Sequence, residues 1–462
     1  MPRTLRARAA VAVCVALVST TFAFTTASGV GSSIVSDALD YLGSQQIAGT
    51  DPSTGSGAWD TNPASPFVTY DAVLAIAEAA QSGSTWDATA AHDAVAEFEN
   101  GDGESPLPFL DLMAATVTTP GVAGKTAVML AGPLGLSYIA YDPAEDGSPV
   151  NLVDLVGSPQ PNGAYDDDLH FNNTLFAALG AQLFTGSIQS STVSYVGACQ
   201  QPSGAFAYNC SQSEFDVDLD TTALALQTLV AGGVEPTDPV LVKGLGYLAD
   251  QLGPEGHWSP YGSASAESSS RAMIAIAAAG FDVDSPCWRN TVAPSRANEA
   301  FVSAGDALAS LTNVDGSIAG PFSFSPAWST AQAVAGLLRN WLPTVTASPQ
   351  NCVVAGPSPT STTVTPVAGG TVTLSGEGFM PGATLTIQLF STPVLLATTT
   401  ADADGNYLIV VTIPPGTSPG SHEIVVSGLG PDGQIRTNTL AIEVQSAPSN
   451  TAEPGPVLRF TG

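Results

Sequence analysis

One phrase recurs along residues 33–342: a turn with Gly and, in most copies, an aromatic, then a polar stretch, then an Ala/Leu-rich run. Gly57-Ala58-Trp59 leads into TYDAVLAIAEAA, Gly163-Ala164-Tyr165 into FNNTLFAALGAQL, and Gly204-Ala205-Phe206 into DTTALALQTLVAGG. Gly256-His257-Trp258 leads into SSSRAMIAIAAAG, and Gly316-Ser317-Ile318 into WSTAQAVAGLLRNW. The glycines stand 106, 41, 52 and 60 residues apart, and a weaker copy, Gly121-Val122-Ala123-Gly124 into KTAVMLAGPLGL, divides the long first interval. A unit of that length is one supersecondary element that cannot bury its apolar face alone, so the copies must stack.

The helices predicted here come in pairs, such as SIVSDALDYLGSQQ with TYDAVLAIAEAAQ, and PVLVKGLGYLADQL with SSRAMIAIAAAG. The second of each pair is Ala-rich and nearly free of charge, as a helix buried on all sides should be; the first keeps a polar face. About six such pairs would close into a ring of inner helices wrapped by outer ones. The expected fold is therefore an all-α (α/α)6 toroid over residues 28–352. From Val353 the composition turns to Thr, Val, Pro and Gly, and six or seven short alternating strands follow, including TVTLSG, ATLTIQLF and HEIVVSG. These predict an all-β immunoglobulin-like sandwich over 353–445, and the Ser/Pro/Glu-rich residues 446–462 predict a disordered tail.

Arg3, Arg6 and Arg8 precede an apolar run from about Ala9 to Ala23 and small residues around Ala27, the pattern of a secretory signal peptide over 1–27. Cys14 lies inside that run, in the wrong context for a lipoprotein cleavage site. No later run is long enough to span a bilayer, so the expected product is exported, with no transmembrane segment in the mature chain. Eleven Lys plus Arg face 41 Asp plus Glu, a net charge of −30 that becomes about −33 once the leader leaves. Such a surface repels nucleic acid and anionic lipid. Cys199, Cys210, Cys287 and Cys352 remain, and two disulfides are expected, Cys199–Cys210 and Cys287–Cys352. Their spacing is not that of a zinc site, and His92, His170, His257 and His422 do not cluster near them.

The repeats resemble the prenyltransferase/squalene-oxidase repeats of terpenoid-cyclase-like α/α toroids. Exported members of that superfamily, including intrinsic factor and transcobalamin, are non-catalytic binders. AGKTAVML, NLVDLVGSPQPNGAYDDD and DLDTTALALQTL also resemble secreted toroid proteins of high-GC Gram-positive bacteria, and the C-terminal region resembles Ig-like modules of their surface proteins. The final Leu458-Arg459-Phe460-Thr461-Gly462 resembles a sortase LPxTG signal, with Arg459 where Pro belongs. It reads either as a relic or as the start of a longer anchor. The resemblance implies a bulky cofactor such as a corrinoid as ligand; no motif calls for a cofactor or a metal.

Two constellations bear on chemistry. Asp216-Val217-Asp218-Leu219-Asp220-Thr221-Thr222-Ala223 resembles the DxDDTA motif of class II terpene cyclases, whose central acid protonates an alkene or epoxide. Asp220 would be that acid and Asp218 the first carboxyl, and Thr221 replaces the second member of the adjacent pair. Against this stands a structural reading: Asp220 as the N-cap of TTALALQTL, with Asp71 and Ser329 in similar positions elsewhere. In the expected toroid the acids Asp166, Asp167, Asp168, the 214–220 cluster, Asp60, Asp71 and Glu267 gather at one mouth, as a solvated rim or a Ca²⁺ site. Trp59, Tyr165, Phe206, Trp258 and Trp328 lie in repeat turns near the same mouth, lining a pocket or packing on neighbouring repeats. There is no nucleophile elbow, P-loop or dinucleotide fingerprint.

These features point to a monomeric, secreted or cell-wall-associated protein that holds a small ligand at the toroid mouth without catalysis. Its expected contacts are Trp59, Asp71, Tyr165, Asp167, Asp168, Phe206, Asp216, Asp218, Asp220, Trp258 and Trp328. An enzyme of the terpene-cyclase or carbohydrate-cleaving type is the alternative, and a structural surface protein without ligand the third reading.

Overall fold

The computed structural model describes residues 32–445, apart from 83–84, 167–169, 261, 297–298, 322, 324, 341–346, 349, 351–352, 356–359, 362–365, 391–393 and 431–434. The expected leader and tail lie outside the described residues. Fourteen α-helices among the described residues form the first part: α1 Ser32–Ser44, α2 Phe67–Ala79, α3 Ala88–Glu97, α4 Leu107–Ala114, α5 Pro120–Thr126, α6 Leu152–Val156 and α7 Phe171–Thr185. They continue as α8 Ser190–Ala198, α9 Leu219–Ala231, α10 Pro239–Gln251, α11 Ala266–Ala278, α12 Pro286–Val292, α13 Ala304–Ala309 and α14 Pro326–Leu338. No described helix is long and apolar enough to cross a membrane.

Burial separates the helices into two kinds. In α2 the buried residues run unbroken from Thr69 to Glu78, and in α9 from Thr221 to Ala231. A helix without a polar face must be enclosed on all sides. By contrast α10 buries Leu241, Gly244, Leu245, Leu248 and Ala249, the one-sided stripe of an outer helix. The enclosed helices touch one another in series: α5 packs on α7, α7 on α9, α9 on α11 and α11 on α14. From α14 the contacts return to α2, which also meets the π-helical turn Ala127–Ala131 that continues α5.

Glycine sets the closest approaches. A Cβ on Gly124 would stand 2.2 Å from the Phe176 carbonyl oxygen, and one on Gly180 2.7 Å from the Gly124 Cα, so α5 and α7 meet backbone to backbone. The repeat-turn glycines serve a second purpose. Gly163 has φ +97° and would push a Cβ to 2.2 Å from the Ser191 carbonyl in α8; Gly316 has φ +87° and would meet the Asp37 carbonyl in α1 at 2.4 Å. Each turn therefore both takes a left-handed conformation and presses on the outer helix of the following unit. For Gly316 that helix is α1, the first of the described helices.

Cys199 and Cys210 form a disulfide that closes the loop ahead of α9, their Cα atoms 4.9 Å apart. Cys287 is also disulfide-bonded, and its expected partner Cys352 lies outside the described residues.

The first part also holds a small antiparallel pair, β1 Phe206–Ala207 with β2 Val217–Asp218. The C-terminal part is built from strands: β3 Val353–Ala355, β4 Thr360–Ser361, β5 Thr371–Gly376, β6 Thr384–Phe390, β7 Val394–Thr400, β8 Tyr407–Thr412, β9 Gly420–Leu429 and β10 Ile435–Val444. One sheet runs β3-β10-β9-β6-β7, parallel only between β10 and β3; the other runs β4-β5-β8 and is antiparallel. Alternation places Leu385, Ile387 and Leu389 of β6 inside, where they share a core with Val372 and Leu374 of β5 and with Tyr407 and Val411 of β8.

Candidate ligand cavity

A single hydrogen bond recurs in the helical units and fixes the register of the site. The backbone N–H of each turn residue after the Gly-x pair donates to a buried hydroxyl in the enclosed helix. Trp59 donates to Thr69 Oγ1 at 3.3 Å, Tyr165 to Thr174 at 3.0 Å and Phe206 to Thr222 at 2.9 Å. Trp258 donates to Ser269 Oγ at 3.1 Å, and Ile318 to Thr330 Oγ1 at 2.9 Å. These hydroxyls mark the face of each helix that looks outward, toward its turn. At about 100° per residue, positions two before and two after the anchor lie roughly 200° away, on the opposite face. They are also four apart, and therefore neighbours on the helix surface.

That opposite face lines a cavity of about 320 Å³. Its wall carries Asn172 and Phe176 of α7, Asp220 and Leu224 of α9, Glu267 and Arg271 of α11, and Trp328 and Gln332 of α14. Each pair flanks its hydroxyl anchor. From α5 comes Lys125; the weaker repeat has Ala123 where the anchor would stand. In α2 the corresponding pair is Phe67 and Asp71, and Asp71 braces the wall from behind. The Asp71 carboxylate accepts from Trp328 Nε1 at 2.6 Å, Gln332 Nε2 at 3.0 Å and Arg271 Nη2 at 3.2 Å. It thereby joins the first unit to the last two.

The charged groups differ in how fully they are partnered. Glu267 accepts from the Ser265 hydroxyl at 3.0 Å and from the Ser329 hydroxyl. The Lys125 ammonium lies 4.9 Å from the Tyr70 ring centroid, 5.5 Å from Phe67 and 5.6 Å from Phe176, a cation–π cage. Burial pushes its pKa below the ordinary lysine value; Asp71 pulls upward, and the Arg271 charge adds to the depression. Asp220 is pushed up to about 6, chiefly by burial and then by the charge of Asp218, against a hydrogen bond from Ser268. Its Oδ1 is buried without a hydrogen-bond partner, as is Oδ1 of Asn172.

Several sequence-based assignments change here. Asp220 is not the N-cap of α9: that place belongs to Asp218, whose carboxylate accepts the Thr221 N–H at 2.6 Å. The helix starts at Leu219, so Asp220 falls in its first turn and turns inward. Asp71 and Ser329 are not caps either, because α2 and α14 begin four and three residues before them; Ser325 caps α14. Of the acids expected at one mouth, Asp220 and Glu267 line the cavity, and Asp71 stands behind its wall. Asp60 is occupied by the N–H and hydroxyl of Thr69, both at 2.8 Å, Asp166 accepts from Asn173 at 2.7 Å, and Asp216 accepts from the Ser211 hydroxyl at 2.8 Å. Asp167 and Asp168 lie outside the described residues.

Of the aromatics expected in the repeat turns, Trp328 falls instead in the first turn of α14 and borders the cavity, and the others pack outward. Trp59 Nε1 donates to the Leu42 carbonyl at 2.9 Å and Trp258 Nε1 to that of Leu248 at 2.8 Å. Trp258 stacks on Trp288, Phe206 stacks on Phe171, and Tyr165 is buried. Sequence reasoning did not single out Lys125, Arg271, Asn172, Phe176 or Gln332. One signal was present: the chain has two lysines, and one of them, Lys125, sits in an otherwise apolar run.

Away from the cavity, the carboxylates of Asp111, Asp142 and Asp146 come together, and burial with the neighbouring acids pushes Asp111 up to about 6. Backbone N–H groups occupy much of this cluster: Ala144 donates to Asp111 at 3.3 Å, and Asp146 and Gly147 each donate to Asp142 at 3.0 Å.

Compared with known proteins, the chain matches no family model and no curated relative.

Proposed function

We propose that this is an exported, cell-surface-associated protein whose helical part, an (α/α)6 toroid, holds a small ligand without catalysis, and whose Ig-like sandwich serves as a spacer. The observation that carries the reading is the cavity, 320 Å³ of space among helices otherwise buried along their length and walled by partly unmatched polar groups. Unmatched buried polar atoms cost about 1–3 kcal/mol each, so a purely structural core gains nothing by keeping them. The series of helix contacts that returns from α14 to α2 supports the toroid, and the shared core of the two sheets supports the sandwich. Ligand sites span about 300–1,000 Å³. A charged cavity at the small end of that range suits a small polar molecule better than a corrinoid.

Native mass spectrometry of the mature chain after incubation with extract of the producing organism tests this. A retained, unmodified small molecule that is lost from the Lys125→Met variant is the expected result. Retention of nothing, or equal retention by the variant, overturns it.

One observation favours the enzyme reading: Asp220, in the place that resembles the cyclase acid, has a carboxyl pushed up to about 6 and one free oxygen. Such a group can donate a proton near neutral pH. Under that reading an extract component is consumed by the protein and spared by Asp220→Asn. Asp218, as the helix cap, acts in it only through its charge, which helps to raise the Asp220 pKa.

A further inference from the structure

Two cations meet at the cavity of a chain that carries 11 Lys plus Arg against 41 Asp plus Glu. Their state is unusual. Among the described residues Lys125 makes no hydrogen bond and no ion pair; three aromatic rings stabilise its charge but take none of its three N–H donors. Arg271 commits one of its five donors, to Asp71. On the same wall, Asp220 and Asn172 each hold a buried oxygen with no donor. The cavity thus presents unused positive donors and unused acceptors together, and an occupant that satisfies both must carry an anion and neutral hydrogen-bond donors.

From this juxtaposition we propose that the cavity takes a small monocarboxylate bearing hydroxyl groups, with its carboxylate on Lys125 and Arg271 and a hydroxyl donating to Asp220 or Asn172. The inference rests on the ligand-binding reading and gives it a chemical class. A dianion such as a phosphate ester is disfavoured because the negative charge of Asp71 already acts on both cations and Glu267 lines the same cavity. An ammonium in place of the hydroxyl is disfavoured because it would be a third cation beside Lys125 and Arg271. The volume, equal to about ten waters at roughly 30 Å³ each, admits a molecule of monosaccharide size. Phe176 and Trp328 supply its apolar wall.

Calorimetric titration of the mature chain at neutral pH and low salt, with D-glucuronate, D-glucose and D-glucose 6-phosphate as probes, tests the class. Glucuronate is expected to bind at least about tenfold tighter than either of the others. Lys125→Met should weaken it by a similar factor, Lys125→Arg should keep most of the affinity, and the exposed Lys243→Met should leave it unchanged, with melting temperatures read alongside. The charge-keeping variant guards against a mere loss of folding in the first. Glucose or the phosphate binding as tightly as glucuronate, Lys125→Met binding normally, or no probe binding at all overturns the proposal. If native mass spectrometry then retains a neutral molecule, the anion class alone has failed; if it retains nothing, the ligand-binding reading has failed with it.

Discussion

Replacing Asp220 by Asn should make the protein more stable, by an amount that grows as the pH rises from about 4 through 6. Folding raises the Asp220 pKa from 3.8 to about 6. The folded state therefore prefers the protonated acid. The stability that this group contributes is full below about pH 4 and is lost as the pH climbs through 6. A shift of roughly two units at about 1.4 kcal/mol per unit makes ionised Asp220 cost about 3 kcal/mol at pH 7.5. Asparagine can keep the Ser268 contact and never ionises. The variant should gain about 3 kcal/mol at pH 7.5, about 1.5 at pH 5 and almost nothing at pH 3, since all other titrating groups are common to both proteins. Urea unfolding across that range, with equal slopes for the two proteins, measures the difference directly. A variant that is less stable at pH 7.5, or a difference that does not change with pH, would refute the reasoning and return Asp220 to a structural role.

Other consequences are simpler to state. Asp71→Ala removes the acceptor of three donors and leaves Arg271 without its counter-charge. A loss of about 3 kcal/mol in urea unfolding is expected, and a loss below about 1 kcal/mol would mean that the brace is not structural. Thr222→Val orphans the buried Phe206 N–H and should cost about 1–2 kcal/mol, whereas an unchanged midpoint would remove the hydroxyl anchor from the fold's logic. The Cys199→Ser/Cys210→Ser pair opens an 11-residue loop and should lose about 2–3 kcal/mol of chemical stability, with the helical circular dichroism signal retained.

The alternation of outer and enclosed helices was legible because burial on all sides leaves a compositional mark, Ala and Leu without charge, in runs such as ALALQTLVA. The β part was legible for the same reason at period two. The helix starts were not. In Asp218-Leu219-Asp220 both acids precede an apolar run, and local preference cannot choose between them. The choice is made by a contact distant in sequence: the Thr222 hydroxyl takes the Phe206 N–H and donates to the Asp218 carbonyl, and so fixes which acid faces inward. A shift of two residues moves a side chain by about 200° and turns a cap into a cavity wall. Lys125 was hidden differently. Its unit lacks both the turn aromatic and the hydroxyl anchor and runs on into a π-helical turn, so the register that exposes the other wall residues is missing there.

The brace from Asp71 spans 200 residues to Arg271, 257 to Trp328 and 261 to Gln332. Contacts of such sequence separation form late, after the intervening units have closed their own loops. While the chain is being made, Lys125 and Asp220 are in place long before Trp328 and Gln332 exist to complete their wall. A product that stops short of Pro326 keeps all the charged residues that line the cavity but lacks the wall that Trp328 and Gln332 supply. Occupancy is thus a property of the finished molecule, and a bound ligand reports that the last unit has docked onto the first.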